Sequence, residues 1–179
     1  NHEHGLKAVE LGRVDEMMPM DEAILVADVI VLAVPVGALS RLLPYVLDRV
    51  SHQVVIDMGS TKGQLAKLVK NHPHRGRFVA SHPMWGTEYS GPEAAVETAC
   101  EDKAVIVCDT RDSDPGALEM ATEIFNSLKM RIIEMGANDH DLHAAYVSHI
   151  SHITSFALAN TVLEKEKEDD AIFEMASAG

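Results

Sequence analysis

Polar side chains that could support a reaction occur first in residues 57–62, between a buried apolar run and a helical pattern. In an open α/β sheet the carboxyl ends of strands line the ligand crevice, and amides at the start of the next helix favour an anion. Gly59 would let the backbone turn closely there, Ser60 could donate or accept a hydrogen bond, and Lys62 would add a positive charge. The alternative is an ordinary helix cap by Ser60 or Thr61 with a surface lysine.

The second candidate segment, residues 81–88, directly follows another short apolar run and contains the only tryptophan, Trp85. Its histidine, His82, falls at the predicted carboxyl end of a strand. Histidine titrates near neutral pH, so His82 could take a proton from an alcohol while a hydride leaves the same carbon. A histidine that merely ends a strand is the alternative, and spacing alone leaves both open.

The third candidate segment is a long helical pattern with several histidines, beginning at His140. Ser148 and His149 lie four and three positions before His152, so His152 shares a helix face with each of them. Polar groups in an otherwise apolar helix need partners, so these residues could be a metal site, core histidines bonded to backbone or water, or the polar wall of a substrate cleft. No carboxylate at the matching offset and no cysteine cluster accompany the histidines, so we predict no metal site.

The elements that would position these segments follow an alternating pattern. Apolar, β-branched runs occur at 29–34, 54–57, 78–80, 104–108 and 131–135, and helical patterns lie between them at 39–47, 62–70 and 114–129. The run at 29–34 is typical of a strand buried on both faces, as in a parallel sheet flanked by helices. The alternation predicts an α/β fold with a doubly wound parallel sheet.

The pattern changes after Gly136. From residue 138 to about residue 167 there is no Gly or Pro, and apolar residues wrap most of the way round a helix. A helix that is apolar on so many faces is buried in a bundle or a dimer. We therefore predict a doubly wound domain over residues 1–137 and the beginning of a helical domain over residues 138–179.

Composition excludes several classes of protein. With 46% hydrophobic residues the chain has enough apolar surface for a core, and its net charge of -13 argues against nucleic acid and anionic membrane partners. The two cysteines lack C-x-x-C spacing, and no signal pattern or membrane-length apolar stretch occurs. These observations predict a cytoplasmic protein that holds anionic ligands with a few placed donors.

Taken together, the segments resemble the prephenate dehydrogenase family. V-I-V-L-A-V-P-V at 29–36 is similar to the strand and turn beneath the cofactor, and D-M-G-S-T-K at 57–62 resembles the family's D-x-G-S-x-K segment. The likeness continues in H-P-M-W-G-T-E at 82–88 with S-G-P at 90–92, and in H-D at 140–141 followed by V-S-H-I-S-H at 147–152. All occur in family order, along essentially the whole chain.

The resemblance implies a Rossmann-type domain followed by an all-helical dimerisation domain, and hence a homodimer. It also implies NAD or NADP as cofactor, with oxidative decarboxylation of prephenate to 4-hydroxyphenylpyruvate on the route to tyrosine. An arogenate dehydrogenase of the same family remains an alternative. A non-catalytic dimerisation or ligand-sensing module is another, because a cofactor-type sheet does not prove turnover.

The same resemblance implies a role for each matching residue. His82 would be the base that receives the hydroxyl proton, and Ser60 would position both His82 and the nicotinamide. The remaining residues would contact cofactor (Val34, Pro35, Gly59), shape the mouth of the site (Thr87, Glu88) or line its substrate side (Ser148, His149, His152).

The chain departs from the family pattern at both ends. It has no G-x-G-x-x-G motif and no strand before one, and the family's helical domain continues past the position of Gly179 to supply an arginine for a substrate carboxylate. If the chain were the whole polypeptide, we expect it to bind the cofactor poorly, because the pyrophosphate cradle would be absent.

Overall fold

The computed structural model describes residues 2–86, 91–96 and 98–166, without the side chains at positions 148, 149, 151, 152, 162, 163, 165 and 166. The chain divides into two compact units, residues 1–140 and 141–179. The first unit contains a sheet with helices on both faces, and the second is helical in its described part.

The described part of the first unit contains both strands and helices. The strands are β1 (Val29–Leu32), β2 (Val54–Asp57), β3 (Phe78–Pro83), β4 (Ala104–Cys108) and β5 (Arg131–Met135). The helices are α1 (His2–Glu10), α2 (Met20–Val26), α3 (Val36–Leu47), α4 (Gly63–Val69), α5 (Pro115–Ser127) and α6 (Ala137–Ala144), the last of which continues into the second unit.

The sheet has the strand order β1-β2-β3-β4-β5. Strands β1, β2 and β3 are parallel, β4 is antiparallel to β3, and β5 is parallel to β4. The predicted α/β fold is confirmed, although its last two strands run opposite to the first three. The described part of the β3–β4 connection contains only the short 3-10 turn Pro92–Ala94. Because β4 is antiparallel to β3, no crossover helix is needed between these two strands.

The core lies on both faces of the sheet because side chains alternate along each strand. On one face Val55 and Phe78 pack with buried leucines of α3 and α4. On the other face Ile56 and Val79 pack against α5, whose Phe125 is buried. The sheet is therefore covered by helices on each side, as the fully apolar strand runs predict.

The described part of the second unit is helical throughout. After Ala144 a π-helical turn, Ala145–His149, leads into α7 (Ile150–Glu166). The predicted helix from 138 to about 167 is thus present but interrupted by one π turn. Beyond Ala145 its described large apolar side chains are exposed, for example Ile153 at 66% and Phe156 at 70%. Among the described residues, no helix combines the length and apolar composition that a membrane span requires.

Candidate active site

The turns that follow β1 and β2 leave the sheet side by side. Leu32 is the register partner of Asp57, and the next residue, Met58, donates its N–H to the Leu32 carbonyl at 3.1 Å. Beyond these positions Val34 is half-buried, while Pro35 and Ser60 are exposed. The residues predicted to contact cofactor therefore lie at one edge of the parallel part of the sheet.

Gly59 allows this close approach of the two turns. A Cβ atom at this position would lie 2.6 Å from Cδ1 of Leu39 in α3 and 3.0 Å from Oδ2 of Asp57. The first distance is shorter than real Cβ contacts, so a larger residue would require the Leu39 side chain to shift. The absence of a side chain at residue 59 therefore lets this turn pack closely against Leu39 of α3.

His82 lies inside β3. The strand runs to Pro83, three residues beyond the predicted end at residue 80, because β4 pairs with it there and His82 is the register partner of Ile106. The imidazole is half-buried. By strand alternation it points to the same face as Phe78 and Ala80.

Asp57 connects the turn after β2 to the end of β3. Its Oδ2 accepts the N–H of Gly59 at 3.0 Å, and its Oδ1 accepts the N–H of Ser81 at 3.1 Å. Gly59 directly precedes Ser60 and Ser81 directly precedes His82. One carboxylate therefore fixes the backbone beside both predicted catalytic residues.

Lys62 completes this buried cluster. Its ammonium donates to Asp57 Oδ2 and to the Ser81 carbonyl, the latter at 2.6 Å, and neither charged side chain is exposed to solvent. Burial raises the pKa of Asp57, while Lys62 and the N–H groups of Gly59 and Ser81 act in the opposite direction. The charge of Lys62 is thus turned towards Asp57.

Both sequence-based interpretations of this lysine are therefore wrong. Lys62 is not placed to hold an external anion, because it is fully buried against Asp57. Nor is it a surface lysine behind a Ser60 or Thr61 cap, because α4 begins at Gly63 with Lys62 itself as the N-cap and without a side-chain cap hydrogen bond. An acidic residue at the end of a buried strand was the available sequence signal for this pair.

His140 contacts His82 through an imidazole–imidazole hydrogen bond. Nδ1 of His82 lies 2.9 Å from Nε2 of His140, and the two rings meet edge to face with centroids 5.1 Å apart. His140 is only 2% exposed. The sequence identified His140 as one of several helix histidines but gave no signal that it contacts His82.

The side chains of the other predicted site residues lie outside the part of the chain that the structure describes. Thr87 and Glu88 lie outside the described residues, and so do the side chains of Ser148, His149 and His152. Within the described part of the chain there is no group of three or more His, Cys, Asp or Glu side chains that could hold a metal ion.

Comparisons with known proteins cover nearly the whole chain. Residues 1–134 match the family model of the prephenate dehydrogenase nucleotide-binding domain, and residues 136–179 match that of the prephenate dehydrogenase dimerization domain. A cyclohexadienyl dehydrogenase of Zymomonas mobilis is 29% identical over 161 residues, which are 89% of this chain and 55% of that protein. The chain thus spans about half the length of this curated relative.

Two solved structures are similar over the same region. The prephenate dehydrogenase from A. aeolicus in complex with hydroxyphenyl propionate and NAD+ has a TM-score of 0.83 and 30% identity, covering 92% of this chain and 58% of that one. The Synechocystis arogenate dehydrogenase has a TM-score of 0.79 and 25% identity, covering 100% of this chain and 64% of that one.

Proposed function

Because this chain belongs to the prephenate dehydrogenase family, we propose that it supplies the base and part of the cofactor site of an NAD- or NADP-dependent dehydrogenase. The reaction is the oxidative decarboxylation of prephenate to 4-hydroxyphenylpyruvate. The observation that carries the proposal is the Asp57 carboxylate, which joins the turn bearing Ser60 to the strand bearing His82.

The described residues fit the nicotinamide end of such a cofactor. The edge after β1 and β2 presents the apolar Val34 and Pro35 beside the exposed hydroxyl-bearing Ser60. Ligands of α/β sheets bind at this edge, outside the carboxyl ends of parallel strands. Val34, Pro35, Gly59 and Ser60 would hold the cofactor, which when bound accepts the hydride from the ring carbon.

The chain's own residues handle the proton and the orientation of the reacting groups. His82 accepts the proton of the ring hydroxyl, and Ser60 orients both His82 and the nicotinamide. Loss of carbon dioxide then restores an aromatic ring, so that holding the reacting atoms in line is the main task of the protein. In this proposal Thr87 and Glu88 would shape the mouth of the site, as the family resemblance of residues 82–88 implies.

We also propose that three residues of the helical domain, Ser148, His149 and His152, bind the substrate, with His152 nearest the ligand. The family resemblance of V-S-H-I-S-H at 147–152 supports this assignment.

The variant His82→Ala in the whole protein tests the assignment of the base. We expect kcat to fall by about 10²–10⁴-fold, more than any rise in KM, because the proton acceptor is lost. His72→Ala is the matched control, since His72 bonds to Asp48 before β3 begins, at the other end of that strand. Unchanged activity in His82→Ala would remove His82 as the base, whereas a wild-type protein without dehydrogenase activity would favour a non-catalytic module.

Arogenate is the alternative substrate, because an arogenate dehydrogenase and a cyclohexadienyl dehydrogenase are also among the similar proteins. The two substrates differ in the side chain and not at the ring carbon that is oxidised. Steady-state kcat/KM on both, measured with NAD and with NADP, decides between them. We expect the larger value with prephenate.

We further propose that the protein is a homodimer through its helical domain, with the domain boundary near residue 137. The match of residues 136–179 to a dimerization domain supports this, as do the exposed apolar side chains Ile153, Phe156 and Leu158 on α7. Light scattering after gel filtration of the whole protein tests it. Phe156→Asp should shift the dimer towards monomer, whereas the control Glu164→Lys on the same helix should not.

A further inference from the structure

The inference concerns His140, which has no part in the proposed function. We propose that His140 is a positioning residue that holds His82 with a proton on Nδ1 and a lone pair on Nε2. It rests on the proposed function only in taking His82 as the base. The observation behind it is the 2.9 Å separation of His82 Nδ1 from His140 Nε2.

The fold brings the two rings together from distant parts of the chain. His82 points to the face of the sheet on which Phe78 and Ala80 join the core under α3 and α4. Ala137, the first residue of α6, belongs to that same core cluster. His140 lies three residues further along the helix, on the side of Ala137, and therefore faces His82.

The backbone that carries His140 is itself anchored. The N–H of Ala137 donates to Oδ1 of Asp109 at 3.0 Å, and the N–H of His140 donates to the Gly136 carbonyl at 2.8 Å. Both Ala137 and His140 are nearly inaccessible to solvent. His140 is therefore a fixed partner that can orient the half-exposed ring of His82.

Hydrogen-bond chemistry limits the protonation states of this pair. One nitrogen must donate and the other accept, so the bond holds a single proton between Nδ1 of His82 and Nε2 of His140. If His140 donates, neutral His82 carries its own proton on Nε2, and neither nitrogen of its ring has a lone pair for a substrate. If His82 donates, its Nε2 keeps the lone pair that a base requires.

The second arrangement also survives the reaction. When Nε2 of His82 takes the hydroxyl proton, the ring becomes an imidazolium with an N–H on each nitrogen. Its Nδ1–H continues to donate to the unprotonated Nε2 of His140, now as a charge-assisted bond, which is the stronger kind. The same contact therefore selects the tautomer before proton transfer and stabilises the cation after it.

Long-range ¹⁵N–¹H NMR of the uniformly labelled chain tests the tautomer without any turnover. At neutral pH we expect His82 Nδ1 to be protonated and Nε2 unprotonated, with a ¹⁵N–¹⁵N coupling across the hydrogen bond to His140. His140→Met should remove the coupling and leave His82 as a mixture of tautomers. His140→Gln, whose side-chain oxygen can accept from Nδ1, should restore the wild-type state.

Two results would overturn the proposal. The first is a proton on Nε2 of neutral His82 in the wild-type chain. The second is a His82 tautomer that does not change in His140→Met. If His140→Met does not fold, the wild-type spectrum and His140→Gln still decide, because a Gln variant with mixed tautomers also contradicts it. His72→Gln, which removes a histidine at the other end of β3, should change nothing at His82.

Activity of the whole protein separates this proposal from the proposed function. We expect His140→Met to lower kcat by about 10²-fold or more with little change in KM, and His140→Gln to recover most of it. Full activity in His140→Met would contradict the positioning role. If His82→Ala were fully active while the wild-type chain showed the expected His82 tautomer, only the assignment of His82 as the base would be refuted.

Discussion

The ion pair between Asp57 and Lys62 leads to a quantitative prediction about stability. Both side chains are fully buried, and Asp57 also accepts the N–H groups of Gly59 and Ser81. Removing one member of a buried pair leaves an uncompensated charge in the core, which costs about 3–5 kcal/mol. Asp57→Asn and Lys62→Met should each lower the free energy of unfolding by that amount.

The double variant should be more stable than either single variant. In Asp57→Asn with Lys62→Met no buried charge remains, and the Asn oxygen still accepts one of the two backbone N–H groups. The other N–H loses its acceptor, which costs about 1–3 kcal/mol. The single losses sum to about 6–10 kcal/mol, so the two substitutions should couple by about 3 kcal/mol or more in the stabilising direction.

Urea unfolding followed by far-ultraviolet circular dichroism measures all four proteins of this cycle. The control is Lys67→Met on the same helix, whose side chain is exposed and whose loss should change stability by no more than about 0.5 kcal/mol. Domains of this kind are stable by only about 5–15 kcal/mol, so a single variant could unfold. A folded double variant would then itself support the buried pair. Single effects that simply add in the double variant would refute the buried pair.

Three further predictions concern the pH dependence of stability and the packing of the first unit. Burial raises the pKa of the Asp57 carboxyl above its ordinary value of 3.8, so the folded chain binds the carboxyl proton more tightly than the unfolded chain does. The stability that this proton contributes is therefore fully present below pH 3.8 and is lost as pH rises through the folded pKa. Urea unfolding against pH should therefore show wild type losing stability relative to Asp57→Asn as pH rises, and the opposite slope would contradict the raised pKa. Gly59→Ala should lower the melting temperature because its Cβ would lie 2.6 Å from Leu39, whereas Gly37→Ala, with open space around it, should not. Phe125→Ala should cost about 3–5 kcal/mol in urea unfolding because Phe125 is 1% exposed, and a loss under 1 kcal/mol would place it outside the core.

The positions of strands and helices were predictable because their signals are local. Apolar runs predicted all five strands to within about three residues. The placement of the segment at 57–62 beyond a buried strand was also correct, since a strand end is defined by its immediate neighbours.

The directions of β4 and β5 were not predictable from the same signals. A run such as residues 104–108 is equally apolar in a parallel and in an antiparallel position. The sequence lacks a helical pattern between residues 83 and 104, and this was the available indication that no crossover helix separates β3 from β4.

The chain's sequence by itself determined the element types, the position of Ser60 in the segment after β2, and the family to which the chain belongs. Only the tertiary structure decided that Lys62 turns inward to Asp57 and that His140 contacts His82. Element type depends on neighbours a few residues apart, whereas these contacts join residues such as 57 and 81, or 82 and 140, which are 24 and 58 positions apart. Their partners are selected by the packing of helices on the sheet, which no local pattern records.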